Sequence, residues 1–159
     1  MQTAADVSQD QVRVLLYSDD RNVRRDVRMA LGTKLSDDLG ALEYTECATQ
    51  PAVISAMDAG EFDLLILDAE ATPSGGMGIA HQLKDEIQHC PPIILLVARE
   101  QDAWLATWSR AEAISPFPVD PIRLPKLVAD VLRMSPYVAP ISTVRGLHDS
   151  GSADEDFSQ

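Results

Sequence analysis

Unbroken apolar runs alternate along this chain with stretches whose apolar positions recur every three or four residues. The first pattern predicts strands buried on both faces, the second helices with one buried face. Val12–Tyr17 is predicted as a strand and Asn22–Leu31 as a helix closed by Gly32. Glu43–Ala48 follows as a short, moderately apolar strand. Gln50–Ala59 is the next helix, with Thr49 as its cap and Pro51 in the first turn, where proline is tolerated. Phe62–Asp68, "FDLLILD", is the clearest strand, and a Pro/Gly-rich loop, "ATPSGGMG", comes after it. A helix over Ile79–Gln88, a strand over Pro91–Ala98 and a helix over Asp102–Glu112 follow. A brief strand, Ala113–Ser115, and a helix, Pro121–Arg133, complete the series.

This is β-α repeated five times, which implies a parallel sheet covered by helices on both faces. Residues 1–11 are polar and read as a flexible start. After Arg133 the texture becomes rich in Pro, Ser, Gly and acid, so residues 134–159 read as an extended tail without a core of its own. Within the tail, "YVAPISTVRGL" carries apolar side chains, Tyr137 and Ile141 among them, that suit an extended docking peptide.

Charge narrows the function. The net charge is −12 over 159 residues. Such a surface repels a phosphate backbone, so nucleic acid is excluded as a partner. No apolar run reaches the ~20 residues of a membrane helix, and the first ten residues have no signal-peptide pattern, which places the chain in the cytosol. Cys47 and Cys90 have no metal-ligand spacing and read as reduced, packed thiols.

Two predicted strands end in acid: "VLLYSDD" at Asp19 and Asp20, and "FDLLILD" at Asp68. In a doubly wound sheet the carboxyl ends of neighbouring strands form the functional crevice. If the strand order is 2-1-3-4-5, these acids share it, and their oxygens suit a weak Mg²⁺ site. Over Val12–Arg133 the chain resembles a response-regulator receiver domain. The matching segments are "VLLYSDDRNVRR", "FDLLILDAEATP", "PPIILLVA" and "FPVDPIRLPKLVADVLR". The resemblance implies a flavodoxin-like five-stranded parallel sheet in the order 2-1-3-4-5, with the phosphoacceptor position at Asp68.

The departures from that pattern carry chemical meaning. The first member of the acidic pair falls on Ser18, the hydroxyl after the fourth strand on Val97, and the lysine on Phe117. Phosphoryl transfer to a carboxylate is largely positioning and charge neutralisation. Losing one charge-stabilising contact costs ~3–4 kcal/mol of transition-state stabilisation. The expectation is a receiver fold that no longer switches by phosphorylation, without catalysis and without a required cofactor.

A narrower resemblance rests on "TQPAVI", "GGMGI", "CPP" and "QDAWLATW". These runs are similar to those of stand-alone atypical response regulators of actinobacteria, a group associated with respiratory complex I, the proton-pumping NADH:quinone oxidoreductase. The resemblance implies an accessory protein on its cytoplasmic arm. Candidate contact residues are Trp104 and Trp108, four apart and predicted to share a helix face with Ala111, together with Phe117 and the basic first helix through Arg21 and Arg25. One of the two tryptophans is expected to pack on the sheet. The alternatives are a phosphorylatable single-domain response regulator and, from the likeness of "LILDAEAT" to an Asp-x-Asp-x-Thr phosphatase motif, an enzyme. The chain lacks the downstream motifs that such an enzyme needs.

Overall fold

The computed structural model describes residues 11–135, so Tyr137 and Ile141 lie outside the described residues. Five parallel strands, β1 Val12–Tyr17, β2 Leu42–Cys47, β3 Leu64–Asp68, β4 Ile93–Val97 and β5 Ala113–Pro116, lie in the order β2-β1-β3-β4-β5. Five helices alternate with them: α1 Arg21–Leu31, α2 Gln50–Ala59, α3 Gly76–Glu86, α4 Trp104–Ser109 and α5 Arg123–Met134. The α/β reading and the strand order both hold.

The pleat divides the core in two. Val14, Leu16, Leu64, Ile66, Ile94 and Leu96 point toward α1 and α5, where Val27, Leu31, Leu124, Val128 and Leu132 meet them. Leu15, Tyr17, Leu65, Leu67, Leu95 and Val97 point the other way, against Val53 of α2 and Ile79 and Leu83 of α3. All of β3 and β4 is buried, which is why both read as unbroken apolar runs. Each fully buried Leu, Ile or Val is worth about 1.5–3 kcal/mol of transfer free energy. The central strands thus anchor the end of β3, where Asp68 sits.

Local signals place most helix ends. The Asp20 carboxylate caps α1 by accepting from the Asn22 N–H at 2.8 Å. Gly32 closes that helix at φ 70°, a conformation a side chain would strain, and its N–H reaches the Arg28 carbonyl. Thr49 caps α2 through Ala52 N–H at 3.2 Å. Asp120 receives the N–H groups of Ile122 and Arg123 at the head of α5, which therefore starts two residues after the expected Pro121.

Two elements differ from expectation. The helix expected from Ile79 begins at Gly76, inside the run read as a loop. A Cβ on Gly76 would lie 2.8 Å from the Leu67 Cβ and 2.9 Å from the Asp68 carbonyl oxygen. The glycines thus mark a helix start pressed against β3, where a bare backbone is the only thing that fits. The helix expected over Asp102–Glu112 is a short 3₁₀ turn, Glu100–Ala103, followed by α4, which ends at Ser109. Arg110 takes the left-handed conformation at φ 65°. Beyond it, the Glu112 carboxylate is drawn to the Ile93 N–H at 2.7 Å and to Lys84 at 2.8 Å, which pulls the chain off the helical path toward β5.

Candidate functional site

β1 and β3 are neighbours in register, with Tyr17 opposite Leu67, so the residues after each reach the same crevice. There the Ser18 hydroxyl donates to Asp68 Oδ2 at 2.7 Å. The same oxygen of Ser18 accepts from the Asp20 N–H at 3.0 Å, which fixes the turn into α1. Asp68 Oδ1 accepts from the Glu70 N–H at 2.8 Å. The Thr72 hydroxyl donates to Asp19 at 3.1 Å, tying the loop after β3 to the acidic turn. Tyr17, at the end of β1, donates its hydroxyl to the Ser74 carbonyl in the same loop.

Burial pushes the Asp68 carboxyl above the ordinary carboxylate range. The hydrogen bonds from Ser18 and from the Glu70 N–H pull it back, and the charges of Asp19 and Glu70 push it up again. An ionised group with a raised folded-state pKa weighs against folding at pH values above that pKa, and the penalty fades as pH falls through it toward the unfolded value. Asp68→Asn is therefore expected to raise the melting temperature at neutral pH. The gain should shrink to nothing in acid, below the ordinary carboxylate range, in parallel melts of the two proteins. A gain independent of pH would assign the effect to packing.

The three candidate metal ligands separate into two roles. Asp19 and Asp68 lie close enough for the charge of one to act on the other. Asp20 is turned away into the cap of α1. Among the described residues no group of three or more His, Cys, Asp or Glu side chains is arranged to hold a metal ion. Mg²⁺ commonly uses one or two carboxylates and retains waters, so Asp19 and Asp68 suffice in number and type to hold it.

Val97 is wholly buried and faces the second core. Phe117 follows β5, joined to Pro118 by a cis peptide, with its N–H bonded to the Val97 carbonyl at 2.8 Å. Its ring is half-buried against the α1/α5 core, where it brings no positive charge to the crevice. Phe117 also lines a groove of about 930 Å³ between β5, the turn before α4 and α5, together with Ile122, Leu127, Arg99, Arg123 and Lys126.

Both tryptophans are exposed, Trp104 at 66 % and Trp108 at 51 %, so the expectation that one packs on the sheet is corrected. Four apart on α4, the two share one helix face, and that face looks to solvent with Trp108 alongside α3. Ala111, expected on their stripe, lies past the helix and packs on the second core. Trp108 instead meets the His81 ring of α3 edge-on, centroids 4.3 Å apart. On α1, Arg24 and Arg28 both close on Glu46 of β2, at 2.9 and 2.6 Å. Arg21 and Arg25 remain at the surface, Arg25 beside Asp26 at 3.4 Å. The basic face is thus half committed to holding β2.

In "LILDAEAT", Glu70 stands where the phosphatase motif has its second acid. Its carboxylate reaches across the strand ends to accept from the Ala98 N–H at 3.1 Å. The sole signal in the sequence was its position two residues beyond Asp68.

No family model matches the chain. Proteins named uncharacterized response regulatory protein, from Mycobacterium tuberculosis strains CDC 1551 / Oshkosh and ATCC 25618 / H37Rv, are each 57 % identical over 122 residues, covering 77 % of this chain and 92 % of theirs. Among solved structures, the signal receiver domain of a LuxO repressor protein from Vibrio parahaemolyticus superposes with a TM-score of 0.68 at 18 % identity, over 79 % of this chain and 92 % of that one. A CheY-like receiver domain protein from Methanospirillum hungatei gives 0.66 at 16 %, over 81 % and 99 %. The TrrA response regulator of Thermotoga maritima, determined in complex with Mg²⁺ and beryllofluoride, gives 0.62 at 22 %, over 76 % and 98 %. The structural likenesses carry the fold and the mycobacterial relatives carry the family: the chain belongs to the response regulators and has the receiver fold.

Proposed function

We propose that this response regulator is a constitutive, non-catalytic partner-binding protein. Its partner is the cytoplasmic arm of respiratory complex I, and phosphorylation of Asp68 is not its switch. One observation carries the loss of switching: Val97 at the end of β4 is buried hydrocarbon and Phe117 after β5 packs on a core, so neither position brings a hydroxyl or a cation to the strand ends. The choice of partner is supported by the runs "TQPAVI", "GGMGI" and "QDAWLATW" and by the resemblance they carry. No helix among the described residues is long and apolar enough to cross a membrane, so peripheral attachment through a protein is the consistent arrangement. Where Mg²⁺ binds, Asp19 and Asp68 hold it, and its charge relieves the repulsion between them.

A contact that needs no trigger needs a surface that is always formed. The exposed Trp104 and Trp108, the 81 %-exposed Ile122 and the groove beside Phe117 supply one. Aromatic anchors at interface centres often contribute ≥2 kcal/mol, against under 1 kcal/mol for most interface residues. Trp108→Ala or Phe117→Lys is expected to lower recovery of complex I in pull-downs from native membranes at least tenfold, while Arg21→Ala has little effect. Circular dichroism checks that each variant is folded, above all Phe117→Lys, whose ring packs on a core. Release by the arginine change alone would move the contact to α1, and the absence of complex I subunits from wild-type pull-downs would reject the partner.

A further inference from the structure

The Glu70 carboxylate accepts the Ala98 N–H at the end of β4, the strand that pairs with the Asp68 strand. Asp68 pairs with Leu96 across β3 and β4, and the Ala69 N–H closes the last bond of that ladder on the Leu96 carbonyl. Two residues beyond Leu96, the Ala98 N–H stands past the end of β4, the strand next to that of Asp68. An oxyanion bonded to Asp68 would need N–H donors at this position, since Phe117 brings no cation. Glu70 is anchored at one end by its own N–H on Asp68 Oδ1 and at the other by its carboxylate on Ala98.

We propose that Glu70 is an internal anion that fills the seat at the end of β4 beside Asp68, excludes an external phosphoryl-type anion from it and pins the turn leading to α4. The proposal rests on the assignment of Asp68 as the acceptor position. It adds a second, independent barrier to the missing lysine and hydroxyl. It also gives the turn Ala98–Ala103 one fixed position, from which Trp104 is displayed.

The test uses the full chain and Glu70→Ala, with Glu70→Gln as a control that keeps the shape and one acceptor. Hydrogen exchange at the Ala98 amide, followed by NMR without any ligand, is expected to quicken at least tenfold in Glu70→Ala and little in Glu70→Gln. Beryllofluoride with Mg²⁺ is then titrated into both alanine variant and wild type, and the variant is expected to bind at least tenfold more tightly. An unchanged exchange rate overturns the proposal. So does equal affinity, or binding to neither protein, since Glu70 would then exclude nothing. Equal affinity with the wild type still unphosphorylated would overturn the plug and leave the proposed function standing, whereas stoichiometric phosphorylation of the wild type by a phosphodonor would overturn both.

Discussion

Incubation with a small phosphodonor and Mg²⁺ is expected to leave the protein at its unmodified mass. The transferred phosphoryl group spreads negative charge over its outer oxygens, and the protein's contribution is to meet that charge with fixed donors and cations. At these strand ends the donors are already committed: the Ser18 hydroxyl and the Glu70 N–H to Asp68, and the Ala98 N–H to Glu70. Phe117 offers an aromatic ring directed at the core, and Val97 a hydrocarbon surface sealed from solvent. One missing charge-stabilising donor typically slows a reaction about 10²–10³-fold. Intact-mass spectrometry decides the matter. A stoichiometric adduct that disappears in Asp68→Asn would restore the phosphorylatable single-domain regulator as the better description.

Gly76→Ala is expected to destabilise the fold by about 2–3 kcal/mol, the upper part of the range for an added methyl group in a packed interior. The three nearest atoms to the added carbon, all within 2.9 Å, are the Leu67 Cβ and two backbone atoms of β3. None is the end of a flexible side chain, so the whole of α3 would have to move away from the sheet. Ile79 and Leu83, both buried beneath that helix, would move with it. The better helix propensity of alanine offsets about 1 kcal/mol at most. Urea melts of the two proteins measure the difference. Gly78→Ala is the control, because nothing lies within 4 Å of a Cβ there. Equal losses in both variants would show that β3 yields to the methyl group.

The strands were legible because burial on both faces leaves no polar position in β3 or β4 to interrupt the pattern. The caps Thr49 and Gly32 were legible because they act within a few residues of themselves. What escaped depends on partners distant in sequence. The end of α4 is set by Glu112 reaching back to Ile93 and Lys84, contacts across 19 and 28 residues. "GGMG" looked like a loop because glycine reports backbone freedom and close packing with the same letter, and only the nearness of Leu67 separates the two. In the site, the shared crevice of Asp19 and Asp68 followed from strand order alone. The capture of Asp20 as a cap and the reach of Glu70 to Ala98 depend on side-chain rotamers, which no spacing rule encodes.

The guanidinium of Arg133 holds Asp38 at 2.9 Å and the Ser36 hydroxyl at 3.0 Å, in the connection that leads into β2. The last described turn of the chain is therefore bolted to the edge of the sheet where strands begin. The acidic crevice and the turn into α4 occupy the edge where strands end, roughly 17–20 Å away for strands of this length. The molecule thus has a handle at one pole and its chemistry at the other. A fluorophore or surface anchor attached just after Ser135 would leave the crevice and Trp104 facing outward, so binding measured on such an immobilised protein would sample the intended face.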